Sequence, residues 1–426
     1  MSARKNSAHL FVLFVVLLDS IGVGLVLPVL PSLVQEIGGI GPSPGSFRYG
    51  LLMSAYSGAL FLSSALIGVL SDRFGRRPVI LMTLAGAACD YLVAATAGSW
   101  WLLLLARLFA GACGANVVVA NAYIADVTAP EKRAQYFGIL GAAFGIGLMV
   151  GPSIGGLLSE YGVRAPFWAA VVVTSLNLVF GLWVLPESLA PQHRRPLLLR
   201  QANPFAALGK FKRFGISIAT AGTMVLVQFA ATIMQSISIV FSQLQLGWTG
   251  RDIGLFLTVA AVAAIVVQGA LVRPIVSRAG ERPAVLGGIF IMAVGLFAFG
   301  FVTTGVQMYA VLLFSQLGYV AGPALQGLIS RPVQSEQQGE LQGVLSSLST
   351  LAAIFGPLVG TAVFAFFTGE FTPVVLPGAG FMLAGALMLT ALGCAMKGLK
   401  RDAVTTVASD PAAVASAQLR TESTDR

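Results

Sequence analysis

Charge is scarce in this chain. Only 10% of its 426 residues are Asp, Glu, Lys or Arg, against about 25% in soluble domains. With 56% hydrophobic residues and a mean hydropathy of +0.85, that scarcity excludes a water-soluble globular protein. Histidine is scarcer still. His9 and His193 lie far apart in sequence, both predicted at membrane edges, so neither a Ser/His/Asp arrangement nor a zinc site has its parts. The three cysteines, Cys89, Cys113 and Cys394, show no metal-ligand spacing; they are expected inside helices as small packing residues. No GxxxxGK[ST] phosphate loop is present, so ATP drive has no support. No enzyme site emerges, and no cofactor or metal is expected.

What the chain has in quantity is uninterrupted apolar sequence. Runs of about 20 residues, long enough to cross about 30 Å of hydrocarbon as helix, occur at about 10–30, 49–70, 79–98, 100–125, 136–158, 166–185, 214–240, 253–273, 284–304, 307–330, 341–366 and 374–396. These runs are continuous and do not alternate in polarity, which excludes a β-barrel. The expected fold is therefore an all-α membrane protein of twelve transmembrane helices. The first run is read as a retained helix rather than a secretory signal, because it is long, holds Asp19 and offers no small-residue cleavage site before Pro28 and Pro31. Glycine, at 49 residues, suits helices that approach closely in a bilayer.

The few charges set the orientation. With both termini placed inside, 22 of the 26 Lys and Arg residues fall on inner loops and ends, and Arg48, Arg164 and Arg251 fall outside. The positive-inside rule then puts both termini in the cytoplasm. The net charge of +9 reflects that topology and the anionic inner leaflet. Nucleic-acid binding is not expected, since the basic residues are spread over seven short segments and form no single face.

The chain also repeats itself. Gly151-Pro152-Ser153-Ile154-Gly155 recurs 205 residues later as Gly356-Pro357-Leu358-Val359-Gly360. At the same offset Arg73, Gly75, Arg77 and Pro78 recur as Arg278, Gly280, Arg282 and Pro283, and Gly138 as Gly343. The domains expected are an amino-terminal six-helix bundle over 1–185, a cytoplasmic linker over 186–213, a carboxy-terminal six-helix bundle over 214–396 and a disordered tail over 397–426. The bundles are pseudo-symmetric, as in the major facilitator transporters, where substrate sits between two parallel halves. The repeat fails where charge is buried: Asp19, Asp90 and Arg107 face Met224, Gly295 and Leu312.

A carboxylate at the centre of a bilayer costs about 2.5 to 3.5 kcal/mol on insertion scales, so Asp19 is expected to face a cavity or a partner and to exchange a proton. A hydrogen bond within the helix bundle is the alternative. Asp90 and Arg107 lie about eight and seven residues from the outer ends of antiparallel spans. They therefore share a depth and form either a coupling pair, in which protonating the carboxylate frees the arginine, or a permanent ion pair.

Gly68-Val69-Leu70-Ser71-Asp72-Arg73-Phe74-Gly75-Arg76-Arg77-Pro78 matches the loop signature of the major facilitator superfamily. Gly68 would permit close helix contact, Gly75 a tight turn, and Pro78 the first turn of the next helix. Asp72 would receive donors from a neighbouring helix end or an arginine as a gate, with Arg73, Arg76 and Arg77 around it. A basic anchoring loop is the alternative. Gly147, Gly151, Pro152, Gly155 and Gly156 resemble the fifth-helix signature of drug:proton antiporters, where they would give close contact and a bend; plain packing would also use such glycines. Arg107 opens a run similar to the superfamily's fourth-helix motif.

Leu17-Leu18-Asp19-Ser20-Ile21-Gly22, Cys89-Asp90-Tyr91, Ala125-Asp126-Val127-Thr128 and Pro323-Ala324-Leu325-Gln326-Gly327 together resemble the tetracycline:proton antiporters of Gram-negative bacteria, over roughly residues 8 to 396. That resemblance implies functional acids at Asp19 and Asp90 and export of the drug, as a cation-chelated monovalent complex, in exchange for a proton. It further implies substrate contacts at Asp19 and at Gln268, for the latter of which packing against a polar neighbour is the alternative. The family's ninth-helix carboxylate and eighth-helix histidine are replaced by Met292 and Ala264. The expected function is proton-coupled efflux of a small amphipathic drug by a monomer, with tetracycline as lead substrate. A different drug and an importer of the same fold stay open.

Overall fold

A backbone inside hydrocarbon must satisfy its own N–H and C=O groups, and a helix does so within one segment. The computed structural model describes residues 2–194, 196, 217–331, 333, 337–370 and 372–409. Among these residues every apolar run is helical. The twelve spans are α1 His9–Val26, α2 Pro42–Phe74, α3 Arg76–Thr96, α4 Trp100–Val127, α5 Gln135–Tyr161, α6 Ala165–Val184, α7 Ile218–Leu246, α8 Gly250–Ala279, α9 Glu281–Phe299, α10 Gly305–Ser330, α11 Leu341–Thr368 and α12 Ala379–Leu399.

Several ends differ from the sequence expectation: α2 starts at Pro42, before 49, α9 stops at Phe299, short of 304, and α12 starts at Ala379, after 374. The first span stops at Val26, short of residue 30, because Pro28 disfavours helical geometry at Leu27; a short helix, Leu30–Gly38, follows with a proline in its first turn. At the other terminus the helix that begins at Ala379 runs on to Ser409, although a disordered tail was expected from residue 397. No glycine or proline interrupts it between Gly398 and Pro411. Most of the expected linker, and residues 410–426, lie outside the described residues.

Local chemistry sets several other ends. Thr249 with Asp252, and Thr304 with Gln307, form capping boxes that start α8 and α10. Ser99 caps α4 by accepting from the Leu102 amide. Three spans are interrupted: α4 breaks at Gly114–Ala115, α8 carries a π-turn over Val267–Leu271, and α10 tightens over Leu317–Val320.

The two halves pack by the same plan. In the first, α1 lies against α5 and α6, and α3 against α6; in the second, α7 lies against α11 and α12, and α9 against α12. The halves meet through α2 with α11 and through α5 with α8, which the repeat makes equivalent. Among the described residues, every hydrogen bond between the halves lies toward the end of the bundle away from the termini. Gln35 donates to Gln243 at 2.9 Å, Gln243 to Ser32 at 2.8 Å and Thr368 to Ser43 at 2.7 Å, and Arg251 pairs with Glu160 at 3.0 Å. At the terminal end the equivalent helices stand apart. A Cβ built on Gly68, Gly138, Gly141, Gly145 or Gly343 meets nothing within 4 Å. The bundle is closed at the far end and open at the terminal end. Gly68 therefore makes no close helix contact in this structure, contrary to expectation, because it lies at the end where the halves stand apart.

The repeat preserves one ion pair with its charges exchanged. In the first half Arg76 reaches Asp126 at 3.0 Å; in the second Arg331 reaches Glu281 at 2.9 Å. Position 76 plus the 205-residue offset is 281, and 126 plus the offset is 331. Gly75 and Gly280 precede these pairs with matching backbone, at φ 106 and 85 and ψ 162 and 163. The shared geometry ties the start of one helix to the end of the next with opposite polarity. Reversing Glu281 alone (Glu281→Arg) is expected to lower the melting temperature of the detergent-purified protein, whereas Glu281→Arg with Arg331→Glu, which copies the polarity of the first half, should recover most of the loss. A double variant no more stable than the single would show that the pair is not an interaction.

Candidate functional site

Asp19, Asp90 and Arg107 come together in one chamber. Asp19 from α1, Tyr56 from α2, Thr83, Asp90 and Tyr91 from α3, and Arg107 and Asn116 from α4 line a space of about 120 Å³ inside the first half. Arg107 donates to Asp90 through Nη2, and their side chains are 7% and 2% exposed. The pairing is single-pronged: Asp90 Oδ1 and Arg107 Nε are buried without a partner. A buried pair that leaves a donor and an acceptor unmet offsets less of its desolvation cost than a two-pronged one would. Asp19 is half-buried, with Asn116 as its polar neighbour.

The break in α4 builds this chamber. Asn116 starts the second piece of the helix and accepts from Thr83 Oγ1 at 3.3 Å. A Cβ on Gly114 would lie 2.9 Å from Tyr56 Oη, so the glycine lets the phenol approach α4. Sequence reading missed Tyr56, Tyr91 and Asn116; the available signal was a polar or amphipathic residue within an apolar span.

A second, larger space of about 530 Å³ lies between the halves, a size that suits a drug-sized ligand. Leu27 and Met53 line both spaces, so the chamber adjoins the cavity through them. Polar residues on the cavity wall include Tyr49, Ser57, Gln235, Gln316 and Tyr319, none of which was expected from sequence. Ala264 is on the wall. Met292 is elsewhere, buried where α9 meets Gly318 of α10. Gln268, expected to contact substrate, is exposed one turn beyond Ala264 within the π-turn and is absent from the cavity wall.

At the terminal end, Asp72 pairs with Arg76 at 2.6 Å, so its partner is an arginine of its own loop. Arg76 also donates to Ser71 Oγ at 2.6 Å, and its backbone N–H donates to Glu187 at 2.8 Å. Gly75 sits at φ +106, and a Cβ there would lie 2.8 Å from Glu187 Cδ; both the conformation and the contact favour glycine. Arg77 donates to the Leu182 carbonyl at 2.5 Å, and Arg73 is exposed.

The glycines of α5 serve two neighbours. Gly147, Gly151 and Gly155 lie against α1, and Gly156 lies against α8 across the interface, where a Cβ would come 2.7 Å from the Gly250 carbonyl. Pro152 sits inside the continuous helix Arg133–Leu158, and its missing N–H removes one bond from the ladder. Beside it, Thr258 of α8 donates to the Met149 carbonyl at 3.1 Å and lies 2.5 Å from Ser153 Oγ.

Comparison with known proteins agrees with this architecture. The family model described as Major Facilitator Superfamily matches residues 12–271 and 220–422. The chain belongs to the major facilitator superfamily. Among its relatives there, the class C tetracycline resistance protein of Escherichia coli is 36% identical over 93% of this chain and 98% of that protein. The class E tetracycline resistance protein of Escherichia coli is 35% identical over 83% and 87%. The crystal structure of the human organic anion transporter MFSD10 superposes with a TM-score of 0.66 over 92% of this chain and 99% of that one, at 24% identity. Membership and fold identify a transporter.

The α1–α5 contact tests this packing. A Cβ on Gly151 would fall 2.6 Å from Gly24 Cα, and overpacking of this kind costs roughly 1–3 kcal/mol. Gly151→Ala is expected to lower both thermal stability and transport, while Gly141→Ala, which faces open space in this state, should keep wild-type stability. Equal stability of the two variants would count against the close contact.

Proposed function

We propose that this superfamily member exports a small amphipathic drug, with tetracycline as lead substrate, in exchange for protons. The observation that carries this reading is the juxtaposition of a chamber holding Asp19, Asp90 and Arg107 with a drug-sized cavity across a shared wall of Leu27 and Met53. The relatives are named for tetracycline resistance, which supports the substrate class and favours removal of the drug over its uptake. The protein works as a monomer in the bacterial inner membrane with both termini in the cytoplasm, an orientation supported by the 22 basic residues on that side. In that frame the state described here is open to the cytoplasm.

The cycle is alternating access. With the cavity facing outward, Asp19 or Asp90 takes a proton and substrate leaves; the halves rock about the α2–α11 and α5–α8 contacts, and substrate binding from the cytoplasm favours release of the proton inward. Protonating Asp90 removes the charge that holds Arg107 and lets the chamber rearrange. Asp72, held by Arg76 in the open state, becomes available to the opposite half as the terminal ends close, with Gly68 then at the contact. The membrane potential adds about 2.3 kcal/mol per charge per 100 mV to the drive.

A second reading, export of a drug other than tetracycline, is favoured by Ala264 on the cavity wall and Met292 away from it, where the resembled pumps carry a histidine and an acid. A susceptibility panel in a pump-deficient host, with and without an uncoupler, separates the two.

In energised cells, Asp19→Asn is expected to raise drug accumulation to the level of cells without the pump at equal membrane expression; unchanged export would remove Asp19 from the proton cycle. In everted vesicles, substrate-induced proton release should be abolished by Asp90→Asn, and its persistence would leave Asp90 a structural residue.

A further inference from the structure

Resting on the efflux reading, we propose that the cavity selects an amphipathic molecule with no net positive charge, held by the side-chain amide of Gln235, and disfavours the divalent-cation chelate of the same molecule. Among the described residues, the wall of the 530 Å³ space carries no Asp, Glu, Lys, Arg or His. A cation enclosed there would give up hydration without meeting a countercharge. The carboxylates of Asp19 and Asp90 lie in the neighbouring chamber, behind Leu27 and Met53. There Asp90 already has Arg107 as its partner.

Part of the remaining hydrogen-bonding capacity of the wall is already used within the protein. Ser236 and Ser238 donate their hydroxyls to the Ile233 and Met234 carbonyls at 2.9 and 2.6 Å, and Thr232 donates to the Ala352 carbonyl of α11 at 3.1 Å. Gln316 donates its amide to the Ala260 carbonyl at 3.2 Å, which fixes its orientation and leaves Oε1 buried without a partner. Tyr49, Ser57 and Tyr319 add hydroxyls to the wall; Gln235 differs from these three in carrying an amide. It is on the wall, exposed, and has no hydrogen-bond partner among the described residues, so it offers both a donor and an acceptor to a neutral polar group. Facing it in the cavity are apolar side chains of α8, Leu257, Ala260, Ala261 and Ala264, which suit the apolar side of an amphipathic molecule.

Tetracycline itself is the probe, because it is free of net positive charge in EDTA and becomes a cationic chelate with Mg²⁺. Equilibrium binding to the purified full chain in detergent is expected to be at least about tenfold tighter in EDTA than with saturating Mg²⁺. Gln235→Leu should weaken binding of the free form by about fivefold, the loss of roughly one hydrogen bond, and Gln235→Glu, which places a carboxylate on the wall, should shift preference toward the chelate. Wild-type binding of the chelate as tight as that of the free form, or an unchanged preference in a folded Gln235→Glu, would overturn charge selection while leaving drug export standing. Binding of neither form would overturn tetracycline as substrate and the charge selection that rests on it.

Discussion

The chamber of Asp19, Asp90 and Arg107 is the constraint on which the rest of the molecule turns. Hydrocarbon offers no water to an ion, so each charge must be buried among partners or kept beside a cavity. Here the carboxylates and the guanidinium come from α1, α3 and α4 of one half, and the break in α4 at Gly114–Ala115 brings Asn116 to the same place. The second half, built on the same plan, places Met224, Gly295 and Leu312 at the corresponding positions. Duplication supplied two scaffolds, and at these three positions only the first carries Asp or Arg.

That asymmetry separates two tasks. In the proposed efflux cycle, charge is handled in a chamber of about 120 Å³, and ligand in a space of about 530 Å³ between the halves. The shared wall of Leu27 and Met53 gives a physical route by which a change in the pairing of Asp90 and Arg107 can alter the shape of the larger space. Packed side chains deform in discrete steps more readily than continuously, and an incomplete ion pair has more than one arrangement open to it.

The interface between the halves follows a different logic. Glycines at 151, 155 and 156 let α5 touch α1 on one side and α8 on the other, so the helix that forms part of one half is also part of the hinge surface. Polar links such as Gln35–Gln243 and Thr368–Ser43 close the far end. They are neutral hydrogen bonds, each worth about 0.5–1.5 kcal/mol net, and a few such bonds can be exchanged during a cycle. At the terminal end the charged contacts, Asp72–Arg76, Arg76–Asp126 and Glu281–Arg331, stay within a half, where they keep each bundle rigid while the gap is open.

Much of this is legible in the sequence. Hydrophobic runs long enough to span a bilayer determine helices, because the backbone has no other local way to satisfy itself there; the 205-residue repeat determines two matching bundles; and the equal depth of Asp90 and Arg107 on antiparallel spans anticipates their pairing. Span ends were less legible: Pro28 shortened the first helix, and the last ran past the point where polarity rises. Tertiary structure alone decided which side chains face the space between the halves. Gln235, Gln316 and Tyr319 reached it while Gln268 and Met292 did not, because helix rotation, the π-turn in α8 and the packing of α9 on α10 set side-chain direction, and a membrane helix that is apolar on nearly every face carries too little amphipathic signal to reveal its own rotation.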